Sequence, residues 1–151
     1  YIVYMLPPFF TNTRKRLTKS PKLYFTDCGL AAYLLDIDSA DTMNRDKMRG
    51  HLFENMVIMD FLKKRYNSGQ NGGLYFYRDS NGNEVDLLVK DGSCYDCYEI
   101  KSSATFHPDF AKGLNNFEKA FPELVHKKSI IYSGQTLPSV GYTSIINYRE
   151  Y

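Results

Sequence analysis

Two short stretches, EVDLLV (84–89) and CYEIK (97–101), have the composition of β-strands yet carry ionisable side chains at interior positions: Asp86 in the first, Glu99 and Lys101 in the second. Carboxylates on neighbouring strands are what a hard divalent cation takes as ligands, because Mg²⁺ and Mn²⁺ prefer oxygen. A lysine beside them offsets the gathered negative charge. In phosphodiester chemistry it can also orient an attacking water or stabilise charge developing on phosphate. The backbone carbonyl of Ile100 is a further oxygen within reach of such an ion.

Asp91-Gly92 is a favoured two-residue turn between the strands. Closing the hairpin there pairs Lys90 with Ser93, sets Asp86 opposite Cys97, and leaves Glu99 on the diagonal, about 7–8 Å from Asp86. Alternation then gathers Asp86, Cys97, Glu99 and Lys101 on one face, while Val85, Leu87, Val89, Tyr98 and Ile100 form the apolar face expected to meet the core. A bulge in either strand would shift this register by one.

Glu54, within GHLFENMVIMDF, is a third acid out of place, since its helical neighbours Val57, Ile58 and Phe61 make an apolar stripe. An ionised carboxylate there is expensive unless a cation or donors receive it. Glu54, Asp86 and Glu99 are therefore the candidate metal ligands, and with Lys101 the candidate catalytic residues. The plainer reading is a solvated sheet face with weak ion pairs, and a Glu54 bonded to a nearby lysine or tyrosine.

Basic residues cluster in TRKRLTKSPK, where Arg14, Lys15, Arg16, Lys19 and Lys22 stand with no acid between them. They are candidates for sequence-independent phosphate contacts. Arg78, before the DSNGN loop, could hold a phosphate bidentately or pair with Asp79 or Glu84. Cys94 and Cys97 fall on opposite faces of their strand and lack a second pair, which argues against zinc. His51, His107 and His126 have no partners at metal or nucleophile spacing, and His107 before Pro108 reads as a helix start.

The positioning elements follow from pattern and punctuation. Tyr1–Leu6 reads as a strand ended by Pro7 and Pro8. Leu23–Phe25 is extended, and Thr26 or Asp27 caps a helix over 28–35. A polar connection over 36–44 leads to a long helix from about Lys47 to Tyr66, closed by Asn67, Ser68 and Gly69. Strands at 74–77, 84–89 and 97–101 precede a helix from about Asp109 to Ala120, a strand from Ser129, and a last strand near Ser144–Tyr148. The fold class is α/β, a central mixed sheet flanked by helices. Residues 1–22 form an N-terminal strand and basic linker, and residues 23–151 the domain.

With 151 residues, 43% of them apolar, the chain can bury a core without staples. A net charge of +2 does not by itself mark a nucleic-acid binder. Three cysteines, an odd number, and the lack of a bilayer-length apolar run point to a cytoplasmic protein without membrane contact. The chain lacks an initiator Met and opens in YIVYML, as an excised fragment would.

A glutamate on a first helix, an aspartate on one strand and Glu-x-Lys on the next resemble the PD-(D/E)xK nuclease-like pattern. Val85 stands where that pattern has its proline, so the backbone shape there can differ while the ligand remains. The longer stretches PPFFTNTRKRLTKSPKLYFTDCGLAAYLL, GHLFENMV, FYRDSNGNEVDLLV and EIKSS, in that order, resemble the DUF4143 family. The resemblance implies a restriction-endonuclease-like core, a C-terminal position in bacterial and archaeal AAA-type ATPases, and an ATPase module upstream. The chain itself has no G-x-x-x-x-G-K-[ST] loop and so no ATPase site of its own. Two functions follow as expectations. One is Mg²⁺- or Mn²⁺-dependent hydrolysis of nucleic acid, DNA ahead of RNA. The other is a non-catalytic module that binds nucleic acid or protein and regulates the ATPase.

Overall fold

A computed structural model of the chain describes residues 1–10 and 20–151. Strand β1 (Val3–Leu6) pairs antiparallel with β2 (Lys22–Phe25), in a two-stranded sheet of its own. Helix α1 (Cys28–Leu34) starts where the Asp27 carboxylate accepts from the Leu30 amide. The stretch expected as polar connection holds a short helix, α2 (Ala40–Arg45), capped by Ser39 accepting from Thr42 N. Serine is among the strongest caps, and that signal outweighs the polar composition. Helix α3 (Arg49–Asn67) follows.

A six-stranded mixed sheet comes next, built from β3 (Leu74–Arg78), β4 (Glu84–Asp91), β5 (Cys94–Lys101), β6 (Val125–Tyr132), β7 (Leu137–Val140) and β8 (Thr143–Asn147), in the order β3-β4-β5-β6-β8-β7. β3, β4 and β5 form an antiparallel meander. A 3-10 turn (Pro108–Ala111) and α4 (Lys112–Ala120) carry the chain over to β6, which lies parallel to β5. β6 begins at Val125, before the expected Ser129, and β7, an exposed edge strand with a proline, was not expected from the sequence. Among the described residues no helix is long and apolar enough to cross a membrane.

Both faces of the sheet are core. α3 lays Val57, Ile58, Met59 and Leu62 against Leu74, Phe76, Leu87, Tyr98 and Ile100, while α4 lays Leu114 and Phe117 against Val85, Leu88, Cys97 and Ile130. Each such buried side chain is worth about 1.5–3 kcal/mol of transfer free energy.

The hairpin register differs from expectation. Asp91 pairs with Cys94, so the two loop residues are Gly92 and Ser93. A loop at Asp91-Gly92 would hold Asp91 at positive φ as well, whereas here Gly92 alone has it, at 57°. Leu88 therefore faces Cys97, and the β4–β5 ladder reaches Leu87↔Tyr98. The ladder stops there, short of Asp86 and Glu99, so the diagonal pairing expected for them does not form as part of it.

The β3–β4 register also slips between Tyr75↔Leu88 and Tyr77↔Val85, which inserts one extra residue in β4 around Asp86. This bulge separates Val85, packed on the α4 side, from Leu87, packed on the α3 side. The single apolar face expected for Val85, Leu87, Val89, Tyr98 and Ile100 is thus corrected at Val85.

Candidate functional site

Past Leu87↔Tyr98, the Asp86 carboxylate takes the Ile100 amide through Oδ2 at 2.9 Å. Asp86 and Glu99 are both buried, at 7% and 9% exposure, where the sheet passes between the two helical layers. Lys101 reaches back between them, its Nζ 2.5 Å from Glu99 Oε1 and 3.7 Å from Asp86 Oδ2. The three residues singled out on the two strands thus do converge.

Glu54 comes to the same place from α3, and its partners are a lysine and a tyrosine. Lys22 Nζ lies 3.0 Å from Glu54 Oε1, 2.6 Å from Glu84 Oε1 and 3.9 Å from Asp86 Oδ1. Tyr24 OH donates to Glu54 Oε1 at 2.5 Å. Lys22 and Tyr24 alternate on β2, which Asn55 holds to α3: its amide donates to Phe25 O and accepts from Phe25 N, each at 2.8 Å. Arg78 pairs with Glu84, its Nε 3.0 Å from Oε2 and a terminal nitrogen 3.0 Å from Oε1.

Lys22, expected in a phosphate-contacting strip, is thus embedded among three carboxylates. Arg14, Lys15, Arg16 and Lys19 lie outside the described residues. Glu84 was not among the expected site residues. Its place at the start of a strand two residues before Asp86 was the available signal, and the fold sets it against Lys22 and Arg78. A cavity of about 620 Å³ opens beside the cluster, with Lys22, Glu54, Arg78, Glu84 and Asp86 at its polar end and Leu23, Leu34, Leu35 and Met48 among its apolar lining.

The electrostatics are unbalanced. Glu54, Glu84, Asp86 and Glu99 bring four carboxylates to three cations, Lys22, Arg78 and Lys101. Burial and then Glu54 push Asp86 upward, against the pull of Lys101 and Lys22. Burial and then Asp86 push Glu99 upward, against Lys101. Lys22 and Lys101 are raised because the neighbouring acids outweigh the burial that would lower them. Glu84 is lowered despite burial, because Lys22 and Arg78 hold it charged. Glu99 Oε2 is buried with no hydrogen-bond partner.

Gly113 explains how α4 comes so close. A Cβ there would overlap the Glu84 carbonyl oxygen and lie 3.4 Å from Glu99 Oε2. Away from this cluster, His126 does have partners, correcting the expectation of none: its Nδ1 is 2.7 Å from Asp96 and 3.6 Å from Asp91. The β5–β6 register slips between Tyr95↔Val125 and Asp96↔Lys127, leaving His126 as the extra residue of a bulge. Among the described residues, these three are the set of His, Cys, Asp and Glu whose ligand atoms converge within 4.8 Å. The expected ligands Glu54, Asp86 and Glu99 do not close to that degree, and the Lys22 and Lys101 ammonium groups lie against their oxygens. Cys28, Cys94 and Cys97 are free thiols, and His107 caps the 3-10 turn by accepting from Asp109 N.

Comparison with known proteins places residues 49–151 in a match to the family described as "Domain of unknown function (DUF4143)". Residues 1–41 match a second, "Domain of unknown function (DUF8612)". An uncharacterised protein of Mycobacterium bovis and one of Mycobacterium tuberculosis are each 30% identical over 136 residues, 89% of this chain. The match covers 29% of the length of each relative. No solved structure matches the chain.

Proposed function

The chain belongs to the DUF4143 family, and from that premise we propose that its carboxylate–lysine cluster is a divalent-cation-dependent phosphodiester hydrolysis site on a restriction-endonuclease-like sheet of the PD-(D/E)xK kind. The observation that carries the reading is Glu99 Oε2, a buried acceptor without a partner, set beside a second buried carboxylate that is also pushed toward protonation. Such a pair stores unmet negative charge, and an oxygen-loving cation is what relieves it.

The donor set fits Mg²⁺ or Mn²⁺: Asp86 and Glu99 would hold the ion, with Glu54 as a further carboxylate. When bound, the ion supplies Lewis-acid polarisation of the phosphate and a more acidic water. Lys101, anchored on Glu99, presents an ammonium group to the attacking water or to the charge growing on the phosphate oxygens. Asp86 is fixed in orientation by the Ile100 amide. Nucleic acid is the substrate class. An upstream ATPase module is part of the proposal, since the chain spans less than a third of its relatives' length.

Calorimetric titration with Mg²⁺ and Mn²⁺ tests this first. Binding is expected in the wild type and lost in Asp86→Ala, and nucleic-acid cleavage is expected to vanish in both Asp86→Ala and Lys101→Ala. Cleavage unchanged in those variants would reject the assignment. One observation favours a second reading, a non-catalytic module regulating the attached ATPase: Lys22 already pairs with Glu54, Glu84 and Asp86. That reading predicts no cation affinity at the cluster and salt-sensitive nucleic-acid binding that survives Asp86→Ala.

A further inference from the structure

We infer that Lys22 is a built-in competitor for the divalent cation, its ammonium group occupying carboxylate oxygens that the ion needs and so setting the concentration at which the site fills. The inference rests on the metal reading of the cluster and concerns its regulation. Lys22 comes from β2 in the small sheet and meets Asp86 at Oδ1, whereas Lys101 meets it at Oδ2. Its Nζ lies within 4 Å of Glu54, Glu84 and Asp86 at once, a contact set that no other lysine among the described residues has. Lys101 by contrast forms ion pairs with Glu99 and Asp86 alone among the described residues.

The geometry permits exchange. The Lys22 side chain is 20% exposed and lines the open cavity, so its flexible stem can carry the ammonium outward when a cation enters. Its ammonium group also lies over the Phe76 ring, 5.4 Å from the centroid, a contact the exchange would give up. A divalent ion on Asp86 would meet the positive charge of Lys22 a few ångströms away, so the two cannot share the same oxygens without mutual repulsion. Removing the lysine charge therefore strengthens ion binding, whereas a lysine that merely buttressed the site would weaken it when lost.

The test is Mn²⁺ titration of the 151-residue chain, by calorimetry and by thermal denaturation. All proteins carry His126→Gln, so that the exposed Asp91–Asp96–His126 group does not contribute. Lys22→Gln and Lys22→Met are expected to bind Mn²⁺ about tenfold tighter or more than the Lys22 protein, because an opposing charge within the site is gone. Lys22→Arg, which keeps the charge, is expected to stay weak. In chelator, Lys22→Gln should melt below the Lys22 protein, since three carboxylates then face one another, and Mn²⁺ should raise its midpoint by the larger margin. This midpoint shift also serves if the variant folds only with the ion. Adding Asp86→Ala to Lys22→Gln should abolish the gain. Equal or weaker binding in Lys22→Gln and Lys22→Met, with Asp86-dependent binding in the Lys22 protein, overturns the competitor role and leaves the metal site standing. No binding in any of these proteins overturns both.

Discussion

Replacing Glu99 with glutamine removes one of two neighbouring buried carboxyls while keeping its shape, and the consequence reads out as pH-dependent stability. Glu99 is raised in the folded chain to about 8 by burial and then by Asp86. An unfolded glutamate titrates near about 4.3. Between those limits the folded state holds a proton that the unfolded state has released. The contribution is therefore neutral below the unfolded value and increasingly destabilising as pH rises through the window. The slope approaches about 1.4 kcal/mol per pH unit for one such proton. Asp86, also raised, adds in the same direction. Glu84 is lowered, so its stabilisation is lost only as pH falls through the carboxylate range, and Lys22 and Lys101 are raised, so theirs is lost only at alkaline pH. Urea denaturation in chelator between pH 5 and 8 should show wild-type stability falling with pH. Glu99→Gln should show a shallower fall, by up to about 1.4 kcal/mol per unit, and greater stability at pH 8. Parallel profiles for the two proteins would refute the argument that Glu99 is a confined, charge-opposed carboxyl. Saturating Mg²⁺ should reverse the wild-type slope, because a cation binds the deprotonated pair.

Two further substitutions probe how the cluster is held. Asn55→Leu leaves both backbone groups of Phe25 without the amide that meets them, and urea titration should show a loss of about 2–4 kcal/mol; a loss under about 1 kcal/mol would mean the β2–α3 joint rests on packing instead. Gly113→Ala would ordinarily favour a helix by about 1 kcal/mol. Here the added methyl meets the Glu84 backbone oxygen, so a net loss of about 1–3 kcal/mol and weaker cation binding are expected, and a gain in stability would show that α4 does not press on β4 at that point.

The long elements were legible because their signals are redundant. α3 combines length, strong helix formers and an Asn-Ser-Gly ending, and the strands of the meander carry dense β-branched and aromatic residues. The clustered ionisable residues were legible for the opposite reason, as acids and a lysine that violate an apolar pattern. The joints were not. The choice of Gly92-Ser93 over Asp91-Gly92 turns on which residue takes positive φ, and both dipeptides satisfy the same pattern. The bulge at Asp86 leaves no trace in a string of apolar letters, yet it decides which helix Val85 meets. Lys22 looked like the end of a basic run because its partners, Glu54, Glu84 and Asp86, are 32 to 64 residues away in sequence. The single signal for it was its place at the head of KLYF, where alternation puts it beside Tyr24 at the mouth of the sheet.

The small β1–β2 sheet shares no ladder with the large one. It leans on the edge of β3 through Pro7, Pro8 and Phe9, with Phe9 N donating to Phe76 O at 2.7 Å and Phe76 N donating to Pro7 O at 3.1 Å, and on α3 through Asn55. Glu54, Asp86, Glu99 and Lys101 belong to the body of the fold, while Lys22 and Tyr24 arrive on a separately fastened leaf. The leaf is also pinned through Leu6 and Tyr24, which are buried in the core that α3 shares with the large sheet. Because Lys22 and Tyr24 share that one strand, the lysine and the tyrosine reach the carboxylates together or not at all. The composition of the site is thereby tied to the docking of a second, smaller sheet against the body of the fold.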